Sequence, residues 1–225
     1  ADHLLLDDIK DEARAKGTGK WTSQEAMNLE SPIPTIDTAV AMRDLSKYKQ
    51  LRIQAAAIYS NKDTVLAVDK EAFLAAVEEA LYFSTIITYA QGMQMLSKAS
   101  VEYNYDLQLT DIAKIWRGGC IIRSQFLNDI FSAYQNNNGL QHLLLDEGVA
   151  SLVKQSLTGA RTVLSAAITA GIAMPAYSAS LAYFDNFRNK RMPSNLIQAQ
   201  RDYFGAHTYE LTGKEGTFHT QWVTN

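Results

Sequence analysis

Residues 69–103 read DKEAFLAAVEEALYFSTIITYAQGMQMLSKASVEY, and this stretch decides the fold. Phe73, Leu74, Val77, Leu81, Ile86, Tyr89, Met93 and Leu96 recur at the three- and four-residue spacing of one helical face. The length of the run predicts a central, largely buried helix, with Gly92 letting a neighbour approach closely. Downstream, Thr110 is placed to cap a second long helix through DIAKIWRGGCIIRSQFLNDIFSAY at 111–134. NNNG at 136–139 reads as a turn. LLLDEGVASLVKQSL follows, then an alanine-rich helix from about Thr158 to Ala170 that stops at Gly171, then a helix opened by Pro175. PSNLIQAQRDYFGAH at 193–207 reads as another helix, capped by Ser194 or Asn195 and ended near Gly205. The chain has four prolines, and its strand signals are scarce apart from the short run TVLAV at 64–68. These features predict an all-α fold with a non-helical tail from about Tyr209. Phe218 and Trp222 on that tail need somewhere to bury, on this subunit or another.

Composition narrows the function. A chain of 225 residues can bury a sizeable core without staples, and a net charge of -3 leaves no basic field for nucleic acid. The single cysteine, Cys120, excludes an internal disulfide and suits a reducing, cytoplasmic setting. No run of eighteen apolar residues occurs, so no membrane span is expected. The acidic start, ADHLLLDDIKDEAR, has alternating charges typical of a helix and no apolar core of signal-peptide length.

AKGTGKWT at 15–22 is the first candidate site. It lacks the third glycine of the dinucleotide fingerprint and the spacing of the P-loop, and no apolar strand precedes it. Lys16, Lys20, Thr18 and the backbone N–H groups could still face one anion; a helix ended by glycine beside a solvated lysine is the alternative. Arg43 sits on the otherwise apolar run IDTAVAMRDL, where it either points inward toward a partner or lies on the surface near Asp44. Arg117 and Arg123 flank GGCII as structural or interface charges. Cys120 reads as a buried small hydrophobe rather than a nucleophile. Arg201 and His207 straddle the helix end at Gly205 and could reach into a cleft. Complementation of the helix dipole and a capping or core imidazole are the alternatives. His3, His142, His207 and His219 are far apart in sequence, and no metal-ligand spacing is present, so no metal site is expected.

KGTGKWT, WRGGCIIRSQFL, PSNLIQAQRDYFGAHTYE and FHTQW resemble, in this order, the C-terminal helical domain of the 6-phosphogluconate dehydrogenase family, and the likeness runs over nearly the whole chain. The resemblance implies a helical substrate-binding and dimerisation domain over 1–208, a tail over 209–225, and an N-terminal Rossmann domain absent from this chain. It implies NADP-dependent oxidation and decarboxylation of 6-phosphogluconate to ribulose 5-phosphate, the step of gluconate use in the pentose phosphate pathway. The family's proton-transfer lysine and glutamate come from a segment resembling H-N-G-I-E-Y, which this sequence lacks, so no catalytic residue is expected here. The abrupt start is then that of a fragment cut within the helical domain. Carried over by motif, Lys16 and Thr18 become ligands of the substrate phosphate and Arg43 completes that site. Arg201 and His207 become the residues that one subunit lends to its partner's substrate site in a homodimer. Lys20 is given no direct contact. Leu211 departs from a common arginine of the family. The rival expectation is a non-catalytic helical oligomerisation module that keeps the scaffold.

Overall fold

The computed structural model describes residues 3–59 and 66–222. Helices α1 Leu5–Asp8, α2 Thr18–Asn28, α3 Pro34–Ser46, α4 Lys49–Ile58, α5 Lys70–Glu102, α6 Leu109–Arg117 and α7 Phe126–Asn136 come first. A 3-10 turn at Leu143–Leu145, α8 Glu147–Ala170, α9 Pro175–Phe187 and α10 Ser194–Gly205 follow, then strands β1 Tyr209–Leu211 and β2 Lys214–Phe218. The fold is all-α apart from this terminal hairpin. Of TVLAV, Thr64 and Val65 lie outside the described residues and Leu66–Val68 form no strand. The chain divides into two units, Ala1–Phe184 and Asp185–Asn225.

In the first unit α5 is the axis of the core. Asp69 caps it by accepting from the Ala72 N–H at 2.8 Å. Phe83, Ile86, Ile87 and Met93 are fully buried, packed with Val149, Val153 and Val163 of α8 and Leu127 and Ile130 of α7. Among the described residues α5 alone is long and apolar enough to cross a membrane. Its two buried polar residues nevertheless find protein partners: Gln91 brackets Thr35, and Ser180 donates to Ser84 Oγ at 2.9 Å. Those contacts identify α5 as the core helix of a folded body.

Gly92 does not serve the close approach expected of it, since a Cβ there would meet nothing within 4 Å. Gly159 of α8 does. A Cβ there would lie 2.8 Å from the Ala76 carbonyl oxygen and 2.5 Å from Glu79 Cβ. The Gly159 N–H also donates to Glu79 Oε2 at 3.0 Å.

Three further expectations are corrected. The single helix over 110–134 is two: α6 is preceded by Gln108 rather than capped by Thr110, and ends at Gly118. Gly119 follows at φ 147°, a conformation open to glycine and closed to a helix. Cys120 is therefore exposed in the connecting turn, not buried in a helix, and the Tyr89 hydroxyl donates to the Ile122 carbonyl to hold that turn. Conversely, no break occurs near Thr158: α8 runs unbroken from its Asp146 cap to Gly171, which closes it at φ 71°. The acidic start is helical only over Leu5–Asp8. Its continuation is held by long-range bonds, because a short charged segment has no apolar stripe to bury. Asp11 accepts from Lys49 Nζ at 2.6 Å and Arg52 Nη1 at 2.8 Å, and these two cations hold its carboxyl well below the usual carboxylate range.

His142 is buried under α9. Its Nδ1 accepts from the Leu144 N–H at 3.2 Å, so Nε2 carries the proton toward the Tyr183 hydroxyl at 3.0 Å. Burial lowers the imidazole from 6.5 to about 4. The unfolded chain thus binds a proton that the folded one refuses, and stability is expected to fall as pH drops through the interval from 6.5 to about 4. Urea midpoints across that window check this. His142→Gln is expected to lose that slope, and an unchanged slope would assign it to other groups.

Candidate functional site

The junction of α2 and α3 is fastened to α5 on both sides. Lys98 Nζ donates to the Glu30 carbonyl at 2.7 Å, closing the C-terminal end of α2. Gln91 accepts from the Thr35 N–H at 3.1 Å and donates to Thr35 Oγ1 at 2.9 Å, satisfying the start of α3. The chain before α2 is tied to the last turn of α3. The Ala13 N–H donates to Ser46 Oγ at 2.9 Å, and that hydroxyl donates to the Arg43 carbonyl at 2.6 Å.

This frame brings the KGTGK loop and Arg43 together. Gly17, at φ 102°, starts α2 rather than ending a helix before it. Thr18, Gly19 and Lys20 therefore occupy the first helical turn, where N–H groups have no intrahelical carbonyl to meet. No acidic residue lies in that turn. Arg43 packs against it: a Cβ on Gly19 would stand 2.7 Å from Arg43 Nη2 and 2.9 Å from Val40 Cγ2, so only glycine admits the guanidinium there. Arg43 is half-buried, its Nε has no hydrogen-bond partner, and Asp44 pairs with Lys47 at 2.5 Å instead. Arg43 thus turns in against α2, as the first alternative has it, without the partner expected there. Lys16 and Thr18 stand exposed at the loop. Two cations, a hydroxyl and the positive end of a helix without an acidic residue in its first turn thus share one place. The arrangement can bind a phosphate-like anion.

The second unit carries Arg201 and His207. Both are exposed, and Arg201 Nη1 donates to Gln198 Oε1 at 3.2 Å. Gly205 ends α10 without a side chain, so the imidazole folds back over the helix end; a Cβ there would lie 2.8 Å from His207 Cε1. Beneath them is a group that the sequence reading missed. Asp202 is 1% exposed and accepts from His219 Nδ1 at 2.9 Å, the Thr220 N–H at 3.1 Å, Trp222 Nε1 at 2.8 Å and the Thr208 N–H at 2.9 Å. Burial pushes its carboxyl up, but the bonds from His219, Thr220, Trp222 and Thr208 outweigh that and hold it at about 2. The aromatic tail thereby finds an anchor on its own subunit: the Trp222 indole N–H is bound, and the ring meets Tyr203 edge-on at 6.3 Å. The only hint in the sequence was FHTQW itself, a donor-rich aromatic segment on a terminus. Leu196, Ile197 and Phe204 of α10 remain exposed. His3 bonds to Asp8 and His219 to Asp202, and among the described residues no His, Cys, Asp or Glu cluster could hold a metal.

The family described as "6-phosphogluconate dehydrogenase, C-terminal domain" matches residues 1–222. A decarboxylating 6-phosphogluconate dehydrogenase of Lactococcus lactis is 45% identical over 98% of this chain and 47% of its own length. The NADP(+)-dependent decarboxylating enzyme of Bacillus subtilis is 47% identical over 97% of this chain and 47% of its own. The solved Plasmodium falciparum 6-phosphogluconate dehydrogenase, described as apo, with NADP+ and with 6-phosphogluconate, superimposes at a TM-score of 0.93. It is 43% identical and is matched over 99% of this chain and 48% of its own. The chain therefore spans about half the length of these relatives. By sequence and by fold, this chain belongs to the 6-phosphogluconate dehydrogenase C-terminal domain family.

Proposed function

We propose that this chain is the substrate-binding and dimer-forming part of a cytoplasmic NADP-dependent 6-phosphogluconate dehydrogenase, which oxidises and decarboxylates 6-phosphogluconate to ribulose 5-phosphate. The observation that carries the reading is the Arg43 guanidinium seated against Gly19, its Nε unpartnered, at a helix start flanked by Lys16 and Thr18. A phosphate monoester supplies the missing negative charge and several acceptor oxygens. Arg201 and His207, on their own unit, are the residues we assign to the partner subunit's site in a homodimer. The exposed Leu196, Ile197 and Phe204 beside them support burial against a second copy. The functional domain runs over 1–208 in this reading, with 209–225 as its tail.

NADP supplies the hydride acceptor when bound. The KGTGK loop does not fit it: it follows an irregular segment rather than a strand and lacks the dinucleotide spacing. We therefore assign this chain no catalytic residue, leave its cofactor-binding residues unassigned, and place the main NADP site in the half that its relatives have beyond it.

Reduction of NADP with 6-phosphogluconate, measured side by side on this chain and on the longest product of its reading frame, tests the proposal. Activity in the long form and none in the short one is expected. A long form that folds and binds NADP but stays silent would overturn the reading and favour an oligomerisation scaffold.

A further inference from the structure

α10 grips the backbone around His207 from one face. Gln198 Nε2 donates to the Thr208 carbonyl at 2.7 Å, and Asp202 Oδ1 accepts from the Thr208 N–H at 2.9 Å. Gln198 and Asp202 are four residues apart and so neighbours on the helix surface. The segment they hold is an unfavourable one. Ala206 at φ 50° and Thr208 at φ 60°, the two residues flanking His207, both lie in the left-handed region without being glycine. Such backbone persists where surrounding bonds over-determine it, and it tends to be kept where a side chain must be aimed. Gln198 has a second role: its Oε1 accepts from Arg201 Nη1 at 3.2 Å. One amide thus connects the Arg201 side chain to the carbonyl of Thr208, the residue after His207.

We infer that Gln198, backed by Asp202, is a positioning residue that sets Arg201 and His207 together for the anionic substrate without touching it. The inference rests on the proposed function, which makes those two residues substrate ligands. Left alone, an exposed arginine and an exposed histidine on a helix end would sample many rotamers, and binding would have to order them. The amide orders them beforehand. Asp202 also holds Thr220 and Trp222, so its removal would disturb the whole tail, and Gln198 is the residue that isolates the effect.

Steady-state kinetics of the full-length protein test this. Gln198→Met keeps the length and helical preference of the side chain and removes both bonds. It is expected to raise KM for 6-phosphogluconate about five- to tenfold, the scale of one hydrogen bond. KM for NADP and kcat are expected to stay within about twofold. In an Arg201→Ala/His207→Ala background the same substitution is expected to add nothing, because the groups it positions are gone. A rise that persists in that background belongs to general damage and overturns the inference. An unchanged KM in Gln198→Met, with a raised KM in Arg201→Ala, overturns the positioning role and leaves the proposed site standing. Unchanged KM in both removes the site assignment and this inference with it. If Gln198→Met does not fold, Gln198→Glu serves, since it keeps an acceptor for Arg201 and loses the donor to Thr208, and the His207→Ala background subtracts the effect of its added charge. A KM rise that vanishes without His207 supports the role, and no rise overturns it.

Discussion

Arg43→Ala in the full-length protein is expected to raise KM for 6-phosphogluconate by roughly 10- to 150-fold, the equivalent of one charged hydrogen bond of ~1.5–3 kcal/mol. The effect belongs in KM. A phosphate group remote from the reacting carbon has the same charge in the ground and transition states, so its ligand contributes uniform binding. Arg43→Lys is expected to recover only part of the loss, because an ammonium lacks the planar fork that meets two phosphate oxygens at once.

The informative companion is Gly19→Ala. It leaves every proposed ligand in place, yet its Cβ would fall 2.7 Å from Arg43 Nη2 and 2.9 Å from Val40 Cγ2. The guanidinium must move, and KM is expected to rise in the same direction as in Arg43→Ala. The Gly19→Ala/Arg43→Ala double variant is expected to be little worse than Arg43→Ala alone, because both changes remove the same contact. An unaltered KM in Arg43→Ala would remove Arg43 from the phosphate site.

How much of this was open to the sequence depends on the range of the interaction. The extent of α5, the stop of α8 at Gly171 and the end of α10 at Gly205 are local signals, and each is where the pattern puts it. The expected apolar face of α5 is not: Leu74 and Leu81 are exposed, and Phe83, Ile87 and Ala90 are buried beside Ile86 and Met93. Flanking periodicity misled at RGGCII, where two helical runs joined by a glycine pair scan as one; the extended Gly119 separates them. The meeting of Arg43 with Gly19 was invisible for another reason. The KGTGK loop and Arg43 are each visible as candidates, but only the three-dimensional path from Ala13 through Ser46 brings the loop against α3. Asp202 is the extreme case, since its four donors come from residues 208 to 222 and nothing in QRDYF announces a carboxylate that must be buried. The resemblance supplied the proposed ligands, and the structure supplied the contacts around those residues.

The glycines on α5 and α8 allow the opposite sort of test, on stability rather than binding. Sequence reading pointed to Gly92 as the point of close approach, and the structure points to Gly159. Both lie inside helices, where alanine is intrinsically favoured by ~1 kcal/mol. Gly92→Ala is therefore expected to stabilise the fold by ~0.5–1 kcal/mol, since the added methyl meets open space. Gly159→Ala is expected to destabilise it by ~2–4 kcal/mol despite the same propensity gain. Its methyl would lie 2.5 Å from Glu79 Cβ and 2.8 Å from the Ala76 carbonyl, which is backbone and cannot rotate away. The two helices must then separate, loosening the packing of the core. The bond from the Gly159 N–H to Glu79 is lost with them, leaving a carboxylate oxygen short of a donor. For a chain of this size each kcal/mol shifts Tm by roughly 2–4 °C, so Gly159→Ala should melt ~5–15 °C lower while Gly92→Ala melts slightly higher. The opposite signs are what matter: if both substitutions raise Tm, α5 and α8 are not in backbone contact at Gly159, and the core described above is packed in some other way.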